Sequence, residues 1–429
     1  MRQKLLDTQQ NGLPRKKSDN TREKILKTAA SLFRDQGYDA STLRGIAAAT
    51  GIKAGSIYYH FDSKDQILDE VLDQGLRDVY DGVRAAIRSQ ENLSDYRARI
   101  SSAAQAHLSL LLARSEFASA NIRIYDQLPE EIRKRHQPLR RAYATLWDTL
   151  LKDAQQAGQL REDIKIVPLR QFLLGALNWT VEWFDIERYS TDLLSDRCAQ
   201  LILDGISTKR SAKNTIKLIP ATDYQPNRTE GSRKKSDRTR KEIMKAAAHL
   251  FRDQGYAAST LRDIAAAAGK KAGSIYYHFG SKIEILDEVL DQGLRDIHNG
   301  VQAVTRSLQG ESDHRVIIAA AAHAHLTLIL ERSEFISTNI RIYSQLPEEV
   351  RKRHRPLRHA YGEFWDTLLK DAQRAGQLRE DVTIVPLRQF LLGALNWTVE
   401  WMDPARYPIE DFAEGCARLL LDGICVRSK

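Results

Sequence analysis

The stretch Lys53-Ala54-Gly55-Ser56-Ile57-Tyr58-Tyr59-His60-Phe61 recurs unchanged as Lys271-Ala272-Gly273-Ser274-Ile275-Tyr276-Tyr277-His278-Phe279. Around it, all of residues 17–206 returns as 235–424 without a gap, each position displaced by 218. Leu174-Gly175-Ala176-Leu177-Asn178-Trp179-Thr180-Val181-Glu182-Trp183 likewise reappears from Leu392 to Trp401. Periods of roughly 20–50 residues mark solenoids that stack small units. A period of 218 is long enough for a complete domain set, so the chain reads as two copies joined covalently. A molecule with such internal two-fold symmetry suits a partner that shares it, and palindromic DNA is the foremost example.

Local patterning around the repeated stretch points the same way. Residues 21–35 carry Ile25, Ala29, Leu32 and Phe33 at helical spacing and end at Gly37. Thr42 is placed to cap a short helix, 43–50, that stops at Gly51, and a third helix follows over 54–60. A long fourth helix is expected over 63–89, with Ile67, Val71 and Leu72 on one face. Two short helices joined by a glycine turn and braced by another describe a helix-turn-helix. On the third helix Ile57 and Phe61, four apart, can anchor to a core. Lys53, Gly55, Ser56, Tyr58, Tyr59 and His60 are left exposed, small or hydrogen-bonding. Lys53 and Lys64 bracket that helix where phosphates would lie.

The remainder of each copy also reads as helix, over 95–113, 116–125, 129–158, 167–186 and 191–207 in the first. Pro129 suits a first turn, whereas Pro138 should kink or divide its helix. No period-2 strand pattern stands out, so the expected class is all-α. Residues 208–234, with Pro220, Pro226 and Gly231, read as a linker, and 1–20 as a basic disordered arm.

Net charge is +9, and it is uneven: residues 1–24 hold seven Lys/Arg against three Asp/Glu, and 207–242 hold eleven against four. Basic arms beside near-neutral bodies are the footprint of a nucleic-acid binder, although solvated basic tails share it. The longest apolar stretch, 172–184, contains Asn178 and Glu182 and is too short to span a bilayer. With no secretory apolar segment near Met1, the expectation is a cytoplasmic, nucleoid-associated chain with no membrane partner. Cys198, Cys416 and Cys425 lack metal-ligand spacing and read as reduced thiols. Neither a metal nor a cofactor is expected. His107, His325, Glu182 and Glu400 sit in apolar helices and could form an acid–base pair. No nucleophile elbow or phosphate loop accompanies them, so structural hydrogen bonding is the expected role and the chain is not expected to be an enzyme.

The run Thr42-Leu43-Arg44, Ile46-Ala47, Gly51, Gly55-Ser56-Ile57-Tyr58-Tyr59-His60-Phe61 and Ser63-Lys64 resembles the DNA-binding head of TetR-family transcriptional regulators. The helical remainder matches that family's ligand-binding and dimerisation domain in length. The resemblance implies two tandem TetR-like repeats forming an intrachain pseudo-dimer. Its parts are head 1 at 21–66, sensing domain 1 at 67–207, head 2 at 235–284 and sensing domain 2 at 285–425.

It also implies contacts with double-stranded operator DNA. Thr42, His60 and Lys64 hold phosphates, Lys53, Ala54 and Ser56 lie over base edges or the adjacent backbone, and Tyr58 and Tyr59 meet sugar, phosphate or thymine methyls, with Arg44 and Gly55 beside them. The second copy supplies Thr260, Arg262, Lys271, Ala272, Gly273, Ser274, Tyr276, Tyr277, His278 and Lys282, and Lys270, which replaces Ile52, is expected to add a phosphate contact.

The segment Arg123-Ile124-Tyr125, Leu128-Pro129-Glu130-Glu131-Ile132-Arg133 and Arg140, with Gly175 to Trp179, is similar to a TetR subgroup controlling fatty-acid and sterol breakdown. Members of that subgroup answer acyl-CoA thioesters. The implied effector site comprises His107, Arg123, Tyr125, Arg140, Trp179 and Trp183, with His325, Arg341, Tyr343, Arg358, Trp397 and Trp401 in the second copy. Arginines there could meet CoA phosphates or form a solvated helix face, and tryptophans at helical spacing could be plain core. Ala118 against Ile336 and Thr145 against Glu363 suggest unequal pockets. The expected function is a ligand-released repressor on a pseudo-palindromic operator. An activator and an architectural DNA protein are the alternatives.

Overall fold

The computed structural model describes residues 17–38, 40–90, 94–114, 116–125, 128, 130–185, 187–204, 235–332, 334–343, 346–402 and 407–422. The linker expected at 208–234, most of the arm at 1–20 and Cys425 lie outside them. Among the described residues the two copies share one all-helical plan. In repeat 1 it runs α1 (Lys17–Gln36), α2 (Leu43–Thr50), α3 (Ala54–Ile57), α4 (Lys64–Arg88), α5 (Tyr96–Ser109), α6 (Glu116–Ile124), α7 (Glu130–Gln156), α8 (Ile166–Asn178), α9 (Thr180–Trp183) and α10 (Thr191–Asp204). Repeat 2 follows with α11 (Lys235–Gln254), α12 (Leu261–Ala267), α13 (Ala272–His278), α14 (Lys282–Ser307), α15 (His314–Thr327), α16 (Glu334–Ile342), α17 (Glu348–Arg374), α18 (Ile384–Asn396) and α19 (Ile409–Asp422).

Several expected helix boundaries move, and α5 ends at Ser109 rather than 113, passing into a π-helical turn over Leu110–Arg114. Residues 17–20, read as arm, already belong to α1. The third helix closes at Ile57 in repeat 1, short of His60, although its copy extends to His278. Pro138 divides nothing: α7 runs through it, as α17 runs through Pro356. The helix expected over 167–186 instead ends at Asn178, and a separate turn follows at Thr180–Trp183. There the Thr180 hydroxyl donates to the Leu177 carbonyl at 2.6 Å, competing with helix continuation as buried threonines do.

The heads form because short helices receive strong ends. Thr42 accepts from the Gly45 amide, starting α2, and Gly51 at φ +76° closes it in a conformation that any side chain would strain. Ile25, Phe33, Ile46, Ile57 and Phe61 are all at most 1% exposed and form the head core. That core also takes Ile67, Leu68, Val71 and Leu72 from α4, and Ala120 and Ile124 from α6. The head's packing unit therefore reaches beyond the expected boundary at residue 66, and one long helix serves both head and sensing domain.

Across the repeats α8 lies along α18, and α10 meets α19. The approach is close: a Cβ on Gly175 would stand 2.6 Å from the Cβ of Trp397, and one on Gly393 2.5 Å from the Cβ of Trp179. Only glycine admits those indoles. Charges ring the contact, with Arg197 3.4 Å from Asp381 and Arg418 3.8 Å from Asp163. No single helix among the described residues is long and apolar enough to cross a membrane.

Candidate functional site

On each head the third helix turns one face inward and leaves the other bare. Ile57 and Phe61 are buried, while Tyr58 is 61% and Tyr59 82% exposed; Tyr276 and Tyr277 match them at 63% and 81%. Leaving a large side chain in water forgoes roughly 2 kcal/mol of burial. Doing so four times, in matched pairs, marks faces kept for a partner. Tyr59 and His60 meet edge to face at 5.2 Å, as do Tyr277 and His278 at 5.1 Å, which fixes the rings relative to one another. Lys53, Ala54, Gly55 and Ser56 are exposed on the same element, and Thr42 and Arg44 flank it on α2. Lys271, Ala272 and Gly273 repeat this, with Ser274 half-buried, and Thr260 and Arg262 are exposed on their side.

Two lysines have structural work that the sequence did not disclose. Lys64 Nζ donates to the carbonyls of Tyr38 and Ser41 at 2.8 and 3.0 Å and lies 3.9 Å from the Tyr38 ring centre. Lys282 does the same for Tyr256 and Ser259. Bracing the α1–α2 and α11–α12 connections is thus their first role, with one ammonium proton left for a phosphate. Lys270 departs further from expectation: its Nζ is 2.9 Å from Glu242, which it holds below the ordinary carboxylate range. Glu242 replaces Lys24 as Lys270 replaces Ile52, so the two changes answer each other inside head 2.

Beneath the heads a buried triad recurs in both sensing domains. His107 Nε2 lies 3.0 Å from Asn178 Oδ1 and its Nδ1 2.7 Å from Tyr143 Oη; His325, Asn396 and Tyr361 repeat the distances. With a carbonyl oxygen facing Nε2, the imidazole carries its proton there and accepts the tyrosine hydroxyl at Nδ1. Burial pushes both histidines down to about 4, so they are neutral hydrogen-bonding groups near pH 7. Tyr143 and Tyr361 lie 36 residues from their histidines, a spacing that gives no local signal in the sequence.

In repeat 2 this triad opens on a cleft of about 180 Å³, lined also by Leu294, Ile336, Arg358 and, from repeat 1, Trp179. Arg358 donates to Asn339 Oδ1 at 2.6 Å and stacks 3.7 Å over Tyr343, and burial lowers its pKa. Arg140 makes the same contacts with Asn121 and Tyr125.

Arg123 and Arg341 lie apart from those triads. Each grips a carboxylate and a carbonyl of the turn after α8 or α18: Arg123 meets Glu182 at 3.0 Å and Val181 at 2.9 Å, and Arg341 meets Glu400 at 3.0 Å and Val399 at 2.7 Å. These pairs and Trp179 and Trp397 line a second cleft between the repeats, edged by Arg252 and Gly255 of head 2. Trp183 and Trp401, expected at a pocket, instead meet Tyr189 and Phe412 edge to face, packed against the core. Cys198 and Cys416 are buried, the former pushed up to about 12 by desolvation.

Comparison with known proteins accounts for both halves of each repeat. The family model described as "Bacterial regulatory proteins, tetR family" matches residues 25–71 and again 243–289. The one described as "Tetracyclin repressor-like, C-terminal domain" matches 93–206 and 317–424. The HTH-type transcriptional repressor KstR2 of Rhodococcus jostii (strain RHA1) is 28% identical over 197 residues, 44% of this chain and 91% of the repressor. The fatty acid metabolism regulator protein of Bacillus subtilis (strain 168) is 24% identical over 187 residues, 43% of this chain and 95% of the regulator. Among solved structures, AibR in complex with isovaleryl coenzyme A and operator DNA aligns with a TM-score of 0.39 at 21% identity, covering 42% of this chain and 97% of AibR. Each relative is thus spanned nearly end to end by less than half of this sequence. The chain belongs to the TetR family of bacterial transcriptional regulators and carries that family's two domains twice over.

Proposed function

We propose that this protein is a transcriptional repressor that reads one pseudo-palindromic operator with the two heads of a single chain. The observation that carries the proposal is the matched pair of bare tyrosine faces, identical in sequence and alike in exposure. Equal faces call for equal half-sites, and the glycine-gated contact of α8 with α18 supplies a frame that can hold them apart at a fixed distance. Successive major-groove faces recur about every 34–36 Å, so such a frame selects the half-site spacing. Thr42, Lys53, Ser56, Tyr58, Tyr59 and His60, with their copies, form the reading surface. Selecting bound DNA from a random pool and weighing the complex tests this: one chain per palindrome is the expected result. If a palindrome of that length binds only two chains, the single-chain reading fails.

The effector proposed is an acyl-CoA or a similar bulky apolar acid, binding the sensing cleft and releasing the operator. The repeat-2 cleft combines Leu294, Ile297 and Ile336 with the Arg358 guanidinium, a pairing suited to an apolar chain that ends in an anion. Relatedness to a fatty acid metabolism regulator supports the same class. Titration of the operator complex with acyl-CoAs of graded length should release DNA and raise the melting temperature; failure on both counts excludes this effector class and leaves DNA reading untouched.

A further inference from the structure

We infer that a ligand in the cleft of repeat 2 is reported chiefly to head 1, across the repeat boundary, with Trp179 as the positioning residue. The inference rests on the effector site proposed above and concerns how that site is wired.

Trp179 belongs to repeat 1, yet it lines the cleft that holds His325, Tyr361 and Arg358 of repeat 2. It is wedged against the bare backbone of Gly393, so pressure from the cleft has no slack to take up on that side. The other side of Trp179 is the start of α9. Arg123 holds that turn at two points, the Glu182 carboxylate and the Val181 carbonyl. The same guanidinium lies 4.0 Å from Asp35, in the last turn of α1. Trp179, the turn, Arg123 and Asp35 therefore form one continuous contact path from the repeat-2 cleft to head 1.

A competing path stays within repeat 2, since α14 passes from Leu294 and Ile297 in the cleft to Val289 and Leu290 in the core of head 2. Two polar contacts tie head 2 to α16 of its sensing domain. His249 Nε2 lies 2.9 Å from Glu334, and the Thr338 hydroxyl lies 2.9 Å from the Ala248 carbonyl. Ser31 and Ala120 stand at the positions of His249 and Thr338 in repeat 1, and alanine offers no such bond. Displacement at the cleft is thus resisted at head 2 and passed on at head 1.

The test introduces bulk into the cleft without any ligand. Gly362 lines it, and a Cβ there would meet the guanidinium of Arg388, which is paired with Asp366 at 2.8 Å, so added bulk presses on that pair and into the cleft. Gly362→Leu should raise amide exchange across α1–α3 about threefold or more while α11–α13 stay near the wild-type rate. Adding Trp179→Ala to that variant should return α1–α3 to the wild-type rate. If Gly362→Leu loosens α11–α13 alone, or neither head, the crossed wiring is wrong. Should Gly362→Leu unfold, Gly362→Val reads out the same comparison; repeat 1 already carries Ala144 at this position. Oleoyl-CoA, added to the wild type in parallel with a thermal-shift measurement, separates the two ideas. No thermal shift counts against the effector class alone, and binding that loosens only α11–α13 counts against the wiring alone.

Discussion

Head 1 and head 2 present the same reading helix on different mountings. Residues 53–61 and 271–279 are identical, and their tyrosines are exposed to within two percentage points of each other. Behind that face the copies diverge. Head 2 has the Glu242–Lys270 pair, a full capping box at Thr260 and Asp263, and two polar ties to α16, through His249 and Thr338. Head 1 has Lys24, Ile52, Gly45, Ser31 and Ala120 at those positions. The exposed face is the same in both copies, and the residues that pack and tie it from behind differ. Equal specificity and unequal compliance of the two heads are what the proposals above expect from that division.

The sharpest way to break the comparison is at the shared face. Tyr59→Ala with Tyr277→Ala should lower operator affinity by about 100-fold or more, since each head loses a contact worth roughly 1–3 kcal/mol. Either single change should cost roughly the square root of that factor. Gel-shift titration at fixed salt measures both, and unchanged affinity in the double variant would remove these helices from the reading role.

The triads, by contrast, should affect both repeats alike. His107 and His325 are held down to about 4 from an ordinary 6.5, so the unfolded chain takes up protons that the folded chain refuses. Stability is therefore full above about pH 6.5 and is lost as pH falls towards 4, by up to about 3 kcal/mol per histidine. Urea denaturation across that window should show a steep wild-type slope and a shallower one in His107→Gln with His325→Gln. Equal slopes would mean that the imidazoles are not desolvated as described.

Smaller effects probe the mounting. Thr338→Ala should cost about 1 kcal/mol or less, because its hydroxyl shares one proton between Ala248 and its own helix's Glu334. It should raise amide exchange in α11 towards the level of α1, and no change would show the heads to be mounted equally. Lys270→Ile, which restores the repeat-1 residue, should leave stability close to the wild-type value, as loss of an exposed ion pair does. It should also leave the salt dependence of operator binding unchanged, whereas a lost phosphate contact would reduce the log–log slope by about 0.9.

Much of this was legible in the sequence. The duplication, the capping Thr42, the closing Gly51, the buried Ile57 and Phe61 and the exposed tyrosines all rest on spacings of a few residues, where helical geometry alone dictates direction. The partners of His107, by contrast, come from 36 and 71 residues away, and Arg123 finds Glu182 at a separation of 59. The sequence places Lys64, Lys270 and Lys282 beside the third helices but does not disclose that each also meets a partner within its own head, at Tyr38, Glu242 and Tyr256.

The sequence by itself determined that there are two heads, that they present the same face and that each copy is helical throughout, because these follow from local periodicity and from counting. Tertiary structure alone decided that α8 breaks before Trp179, that Trp179 enters the other repeat's cleft, and that His249 and Thr338 tie head 2 to α16. Those outcomes depend on which backbone leaves room for an indole and which side chain lies within 3 Å of a distant carboxylate, and such distances exist only once the two repeats are packed together.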